Sequence, residues 1–298
     1  MKLLLPIYTL DNKLLLPVGA ELNDQIIDEL IATNTYTFPT QSLLQHGTIH
    51  QDILHHISSP PYEVIFADPS QMEQIFNLVS KVQVITPILD CLDYFKTNDS
   101  YTYRHVLMVF ILSIMMSKFS LEENETAPMA NLFDLTHDFG KISVPLDILL
   151  KQEPLTRQER KILEQHTLAG YYLLAYYYRQ KNHFPAIIAK HHHERLDGSG
   201  YPYGLRLQNR LIEIVLVCDI YDALISPRPY RRSAYDNRSA LEIITELATQ
   251  GKIGWEVAKA LVSLNRSNKP YFEDCQISSE LRGKAPADNN YGITIEDK

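Results

Sequence analysis

The apolar positions of the chain follow strand spacing only near its start and helical spacing over most of its length. Two short apolar runs, Lys2–Pro6 and Lys13–Pro17, share the sequence KLLLP and enclose an Asp-Asn pair, which predicts a β-hairpin. Leu22–Asn34 then has helical spacing, with Asn23 placed to cap the helix. Three stretches that proline or polar residues interrupt are predicted to be irregular: Thr37–Ser42, Gly47–His50 and Ile57–Glu63.

From roughly residue 70 onward the apolar residues have helical spacing. An almost wholly apolar helix is predicted over His105–Phe119, and another over Met129–Gly140. Thr156 and Glu159 form a capping-box pattern that starts a further helix, which continues to Tyr178. The predicted fold class is therefore mainly α. Its three predicted parts are a small α+β domain over residues 1–75, a helical domain over 76–265 and a polar tail over 266–298.

Composition narrows the partners and the location that this fold allows. The 298 residues carry a formal net charge of −8, which does not supply the basic excess that drives binding to nucleic acid. The apolar run Val106–Phe119 is too short to span a bilayer, so no membrane insertion is expected. Three widely separated cysteines without a CxxC pair fit a reducing compartment. These features predict a cytoplasmic protein that does not bind nucleic acid.

Metal-binding side chains recur in the helical part of the chain, among apolar residues that belong in a core. A buried carboxylate without a partner is costly, so several carboxylates and imidazoles in one bundle are best explained by a shared cation. Asp219 and Asp222 are three residues apart, which places both on one helix face. Imidazole with carboxylate favours Fe, Mn or Zn over Ca. The candidates are His105, His137, Asp138, His166, His191, His192, His193, Asp219 and Asp222.

Taken singly, these residues have ordinary explanations. A lone histidine on an apolar helix face is usually a hydrogen-bonded core residue, and a basic segment such as RPYRR is often a solvated turn. The tyrosines between Tyr171 and Tyr178 are interpreted as packing. Five further histidines are assigned to no metal site: His46, His50, His55, His56 and His183.

Several short motifs occur in a characteristic order in the helical part. An isolated His105 comes first, then His137-Asp138 followed by Phe-Gly-Lys, then His166, HHERLDGSGYP and CDIYDALISPRPYR. His-Asp alone is a weak signal, but the ordered set over roughly residues 100–265 resembles the HD-GYP family of cyclic di-GMP phosphodiesterases. The resemblance implies an HD-type all-α helical bundle. It also implies a metal-dependent enzyme that hydrolyses cyclic di-GMP through a two-metal site and a bridging hydroxide.

The resemblance implies a role for each matching residue. Asp138 would bridge two divalent metal ions, iron in the first place with manganese as the alternative, and would act in catalysis together with Lys141. His192 and His193 match the family's pair because they directly precede Glu194, so His191 is extra. The implied metal ligands are His105, His137, Asp138, His166, His192, His193 and Asp219. The implied nucleotide contacts are Lys141, Tyr201, Asp222, Arg228 and Arg231.

One position departs from family members that bind three metals. Those members carry Glu one helical turn before the first histidine ligand, where this chain has Tyr101. A phenol with a pKa of about 10 is a poor metal ligand at neutral pH. The chain therefore resembles a two-metal member, which is expected to stop mainly at linear pGpG.

Two other functions are considered. The alternative is a catalytically silent module that binds a cyclic dinucleotide and signals through the N-terminal domain, which could also form a homodimer or bind a protein partner. A different HD-type nucleotide phosphohydrolase is disfavoured by the GYP and RPYR segments.

Overall fold

The computed structural model describes residues 1–120, 135–231, 233–278, 280–287, 289 and 294–295. The α-helices in these ranges are α1 Asp24–Thr33, α2 Ile49–Ile57, α3 Pro69–Val79, α4 Thr86–Asn98, α5 Ser100–Ser120, α6 Leu146–Leu149, α7 Arg157–Glu164, α8 His166–Tyr178, α9 Phe184–His191, α10 Arg210–Ile225, α11 Asn237–Thr249 and α12 Trp255–Leu264. The strands are β1 Ile7–Tyr8, β2 Leu14–Leu16, β3 Thr40–Ser42 and β4 Gln83–Ile85, in two antiparallel pairs. The predicted mainly α class is confirmed.

The N-terminal hairpin and the first helix cap are both confirmed. Strands β1 and β2 pair with Ile7 opposite Leu16, although β1 begins after the first KLLLP run. The Asn23 side chain accepts a hydrogen bond from the Ile26 amide at 2.9 Å, which satisfies a donor at the start of α1.

The prediction of irregular structure around Thr37–Ser42 and Gly47–His50 was wrong. Strand β3 pairs with β4 in the first stretch, and α2 begins at Ile49 in the second. Helix α2 buries Ile49, Ile53 and Ile57, which are four residues apart. Except for the exposed Leu54, the residues between them are polar residues and histidines, which hide this spacing in a short window.

The predicted apolar helix is α5, which packs against α4, α10 and α12. Of the predicted Met129–Gly140 helix, residues 129–134 lie outside the described residues. Residues 135–138 form a turn rather than an α-helix, and the short 3-10 helix Phe139–Ser143 follows. That 3-10 helix and α9 both pack against α8. These contacts bring the N-terminal part of α5, the start of α8, the end of α9 and the middle of α10 close together.

The capping box before α7 is confirmed, but the helix it starts is shorter than predicted. Thr156 Oγ1 accepts from the Glu159 amide at 3.1 Å, and the Glu159 carboxylate accepts from the Thr156 amide at 2.7 Å. Helix α7 ends at Glu164 and α8 begins at His166. At the break, the Gln165 side chain bonds the backbone of Lys2 and Leu4.

The buried core is continuous from the N-terminal part into the helical part. Buried apolar side chains form one cluster from Leu3 to Phe272, and α1 packs against α8 while α2 packs against α5. The division at residues 75 and 265 stays a prediction. Among the described helices, none is both long enough and apolar enough to cross a membrane.

Gly140 allows the 3-10 helix to touch α8 directly. A Cβ at Gly140 would overlap the His166 carbonyl and the Gly170 amide, whereas a Cβ at Gly170 would lie 3.1 Å from the Gly140 nitrogen. We expect Gly140→Ala to lower the free energy of unfolding by about 2–3 kcal/mol, as overpacking does. Chemical denaturation measures this, with Gly170→Ala as the matched control that stays within about 1 kcal/mol. Equal stabilities of the two variants would contradict the close approach.

Candidate metal centre

Asp138 lies between two pairs of buried histidines. Its Oδ1 is 3.4 Å from the Nε2 of His166 and 3.9 Å from that of His192. Its Oδ2 is 3.5 Å from the Nε2 of His105 and 3.6 Å from that of His137. Each oxygen of the Asp138 carboxylate therefore faces a different pair of imidazoles. The residue is buried, with 1% of its surface exposed.

The fold explains why adjacent residues reach the same point. His137 and Asp138 lie in the turn before the 3-10 helix Phe139–Ser143, so they do not point to different sides of a regular helix. His105 comes from the second turn of α5 and Asp219 from α10, which pack together. The ligand atoms of His166, His192 and His193 lie within 4.8 Å of one another, as do those of His105, His137 and Asp138.

Two imidazoles present lone pairs to each other. His166 Nδ1 lies 2.6 Å from the Leu163 carbonyl, and His192 Nδ1 lies 3.0 Å from the Ala189 carbonyl. These acceptors assign the proton of each ring to Nδ1, which leaves a lone pair on each Nε2. The two Nε2 atoms are 3.3 Å apart in a buried site. Such facing acceptors fit a cation between them, and a backbone carbonyl is a usual outer partner of a metal-bound histidine.

The second half of the centre is oriented by a carboxylate. His105 Nδ1 lies 2.6 Å from Asp222 Oδ2, which assigns the Nδ1 proton to that bond, and Arg228 Nη2 is also close, at 2.8 Å. His105 Nε2 then points to Asp219 Oδ1 at 3.0 Å, as well as to Asp138. A lone pair that faces two carboxylates also fits a bound cation.

Burial keeps the histidines in the neutral form that binds metals. It lowers the pKa of His137 to about 3 and the pKa values of His166 and His192 to about 4. Burial also lowers the pKa of His193 well below its usual value. Neutral imidazoles keep their lone pairs at neutral pH, so these residues can hold a divalent metal.

The carboxylates of the centre stay ionised although they are buried. Burial alone would raise the pKa of Asp138, but Lys141 and the surrounding histidines hold it well below its usual value. The Lys141 Nζ lies 2.6 Å from Asp138 Oδ2. Burial alone would likewise raise the pKa of Asp219, but its contact with His105 and the other nearby histidines hold this pKa well below its usual value. Two ionised carboxylates among neutral imidazoles form a strong donor set for a cation.

A cavity of about 240 Å³ opens onto the centre. Its wall includes metal-ligand candidates (His105, His166, His193 and Asp219) and three of the predicted nucleotide contacts, Lys141, Tyr201 and Arg228. The Tyr201 ring stacks on His193 with centroids 4.5 Å apart and an interplanar angle of 25°. Tyr101 also lines the cavity and is 41% exposed.

Two predicted nucleotide contacts do not line this cavity. Asp222 is fully buried, and its oxygens bond His105 and Arg104. Arg231 is 1% exposed, and its guanidinium donates to the carbonyls of Leu224 and Ser226 at 2.7 and 2.9 Å. Neither side chain lines the cavity, so their direct contact with a nucleotide stays a prediction that this geometry does not support. Asp222 orients His105, and Arg231 holds the turn that carries Arg228.

Two residues that support the centre were not predicted from the sequence. Arg104 donates to Asp222 Oδ1 at 3.1 Å and to Ser226 at 2.5 Å. The buried Glu194 accepts from the amides of Tyr203 and Leu205, both at 2.9 Å, and so holds the GYP turn. Glu194 follows the histidine pair and could have been noticed, whereas no sequence signal distinguishes Arg104.

Known proteins resemble this chain over the same region. Residues 104–257 match the HD domain family. A cyclic di-GMP phosphodiesterase of Pseudomonas aeruginosa is 38% identical over 46% of this chain and 33% of that protein. A cyclic di-GMP phosphodiesterase response regulator of Xanthomonas campestris is 32% identical over 60% of this chain and 42% of its own. A 3'3'-cGAMP-specific phosphodiesterase of Vibrio cholerae is 28% identical over 74% and 47%.

The family match covers every predicted metal ligand, from His105 to Asp219. The chain spans less than half the length of each of these three relatives. The family match covers more than half of the chain, from Arg104 beside the first histidine to Val257 in α12. The motif order that predicted the family lies almost wholly inside this range, and the chain belongs to the HD domain family.

Proposed function

We propose that this protein is a metal-dependent phosphodiesterase that hydrolyses cyclic di-GMP. The observation that carries the proposal is the position of Asp138, between two histidine pairs at the base of a cavity that Lys141 and Arg228 line. Support also comes from the two similar proteins of Pseudomonas aeruginosa and Xanthomonas campestris, which are named as cyclic di-GMP phosphodiesterases.

We infer that the centre holds two divalent ions, with iron as the first choice and manganese as the alternative, because imidazole and carboxylate ligands suit both metals. Once bound, such ions polarise a phosphodiester and lower the pKa of an attacking water. Asp138 would contribute one oxygen to each ion. The first ion would have His105, His137 and Asp219 as further ligands, and the second would have His166, His192 and His193.

Lys141 and Arg228 would bind the phosphate beside the centre. Arg228 Nε is buried and has no hydrogen-bond partner among the described residues, so it can donate to a phosphate oxygen. The Lys141 ammonium already lies against Asp138 and faces the cavity. Tyr201 would contact a guanine base at the same opening. These positive groups supply the local charge that an acidic chain needs to bind an anionic dinucleotide.

Chromatography of protein incubated with cyclic di-GMP tests this function. Metal-loaded protein is expected to open the ring, and protein treated with a chelator is not. A parallel incubation with 3'3'-cGAMP is included because of the Vibrio cholerae relative. Tight binding of cyclic di-GMP by metal-loaded protein with no hydrolysis would instead support the silent signalling module.

We expect Lys141→Ala and Arg228→Ala each to lower kcat/KM by about ten- to a hundredfold. A charged hydrogen bond contributes about 1.5–3 kcal/mol, which corresponds to that range. Metal content, measured in parallel with metal in excess, is expected to stay unchanged, because the contacts of Lys141 with Asp138 and of Arg228 with His105 affect the affinity but supply no metal ligand. Lys151→Ala is the matched control, because Lys151 lines the same cavity but its Nζ is bonded to both oxygens of Glu159 at 2.7 Å. Unchanged rates in the first two variants would place the phosphate site elsewhere.

Three further expectations stay predictions. The three buried free thiols fit a reducing cytoplasm, which we propose as the location. Residues 1–75 remain the proposed region for a homodimer contact or for a protein partner. Linear pGpG is the proposed main product.

A further inference from the structure

A tyrosine from the N-terminal part of the chain contacts the network behind the metal centre. Tyr62 begins the short 3-10 helix Tyr62–Val64 and is 1% exposed. Its hydroxyl donates a short hydrogen bond to Asp222 Oδ1, while Asp222 Oδ2 accepts from His105 Nδ1 at 2.6 Å. A single carboxylate thus joins a phenol outside the HD domain match to a candidate metal ligand.

The phenol is held from several sides. The Tyr62 ring packs edge-on against Tyr221 of α10, with centroids 6.4 Å apart. The Arg104 guanidinium lies 5.7 Å from the ring centroid and also donates to Asp222. Three residues later, the carbonyl of Ile65 accepts from Lys269 Nζ at 2.7 Å. The hydroxyl therefore has a fixed position relative to Asp222.

We propose that Tyr62 is a positioning residue for the metal centre. Its hydroxyl fixes the Asp222 carboxylate, and Asp222 fixes the His105 ring with Nε2 directed at Asp138 and Asp219. The inference rests on the metal centre of the proposed function but not on its substrate. Residues 1–75 would then contribute to the affinity of the centre for its metal. A displacement of this region would lower that affinity.

Tyr62→Phe removes the hydroxyl and keeps the ring, and Co²⁺ titration of metal-free protein measures the result without any substrate. The loss of an outer hydrogen-bonding partner weakens metal binding by about 10–100-fold, and we expect about tenfold because Arg104 still bonds Asp222. Tyr103→Phe is the matched control, because the buried Tyr103 donates to Asp52 at 2.6 Å, away from the centre. Co²⁺ binding is measured both by calorimetry and by the visible absorption spectrum of the bound ion.

A double-mutant cycle separates positioning through Asp222 from a general loss of stability. In an Asp222→Asn background, the further change Tyr62→Phe is expected to weaken Co²⁺ binding by less than about twofold. The reason is that Tyr62 acts on His105 only through the Asp222 carboxylate. Equal Co²⁺ affinities of Tyr62→Phe and Tyr103→Phe, or the same loss in both backgrounds, would overturn the proposal. Absence of Co²⁺ binding in the unsubstituted protein would overturn the metal centre as well. Normal binding without hydrolysis would overturn only the proposed function.

Discussion

Asp138→Ala is expected to lose both metal ions and to reduce turnover of cyclic di-GMP by more than about a hundredfold. Residues that only hydrogen-bond metal ligands contribute about 10–100-fold to metal affinity or activity. Asp138 is itself a proposed ligand, so its loss is expected to have a larger effect. Its two oxygens face different histidine pairs, so its removal affects both halves. His137→Ala is expected to lose metal and turnover together as well. Metal analysis and chromatography of the same preparations measure both quantities.

Folding is expected to survive these replacements, because the apolar core does not depend on either side chain. Thermal unfolding of the metal-free variants checks this. His191→Ala is the matched control, since His191 belongs to the same run of three histidines but to neither group of clustered ligand atoms. Full metal content in Asp138→Ala and His137→Ala would contradict the ligand assignment.

Hydrolysis is expected to stop mainly at linear pGpG, with GMP formed slowly. Opening the ring requires charge neutralisation around one phosphodiester, which two cations supply. The linear product adds a terminal phosphate, and its extra negative charge is stabilised best by a third cation. Tyr101, one helical turn before His105, offers a phenol where a carboxylate would be needed. The nearby Asp99 carboxylate is engaged by the amide and hydroxyl of Thr102, at 3.1 and 2.6 Å.

Tyr101→Glu is expected to speed the second step, because it places a carboxylate on the cavity wall. Tyr101→Phe is the matched control and is expected to leave the ratio of pGpG to GMP unchanged. Chromatography of long incubations gives both rates. Complete conversion to GMP by the unsubstituted protein, as fast as ring opening, would refute the two-metal explanation of the product.

Features that depend on neighbouring residues could be predicted from the sequence. The capping box at Thr156 and Glu159 and the cap at Asn23 involve partners three residues away, and the structure contains both. The ordered His and Asp motifs predicted the family, and the structure brings the other six predicted ligands close to Asp138 or to one another.

Features that depend on tertiary packing could not be predicted in the same way. The motifs do not specify which side chains face the cavity, so Asp222 and Arg231 were assigned to the nucleotide although both are turned into the protein. Tyr62 lies 160 residues from its partner Asp222, in a segment predicted to be irregular. No local spacing connects two residues that meet only when the N-terminal part packs on α5 and α10.

The proposed function requires two metal ions, held around Asp138, for the hydrolysis of cyclic di-GMP. Its most direct test is the rate of ring opening, measured as iron or manganese is added in known equivalents to metal-free protein under anaerobic conditions. The account predicts a rate that rises until two equivalents per chain are bound and then stays constant. A full rate at one equivalent, or cyclic di-GMP left intact when both ions are bound, would contradict it.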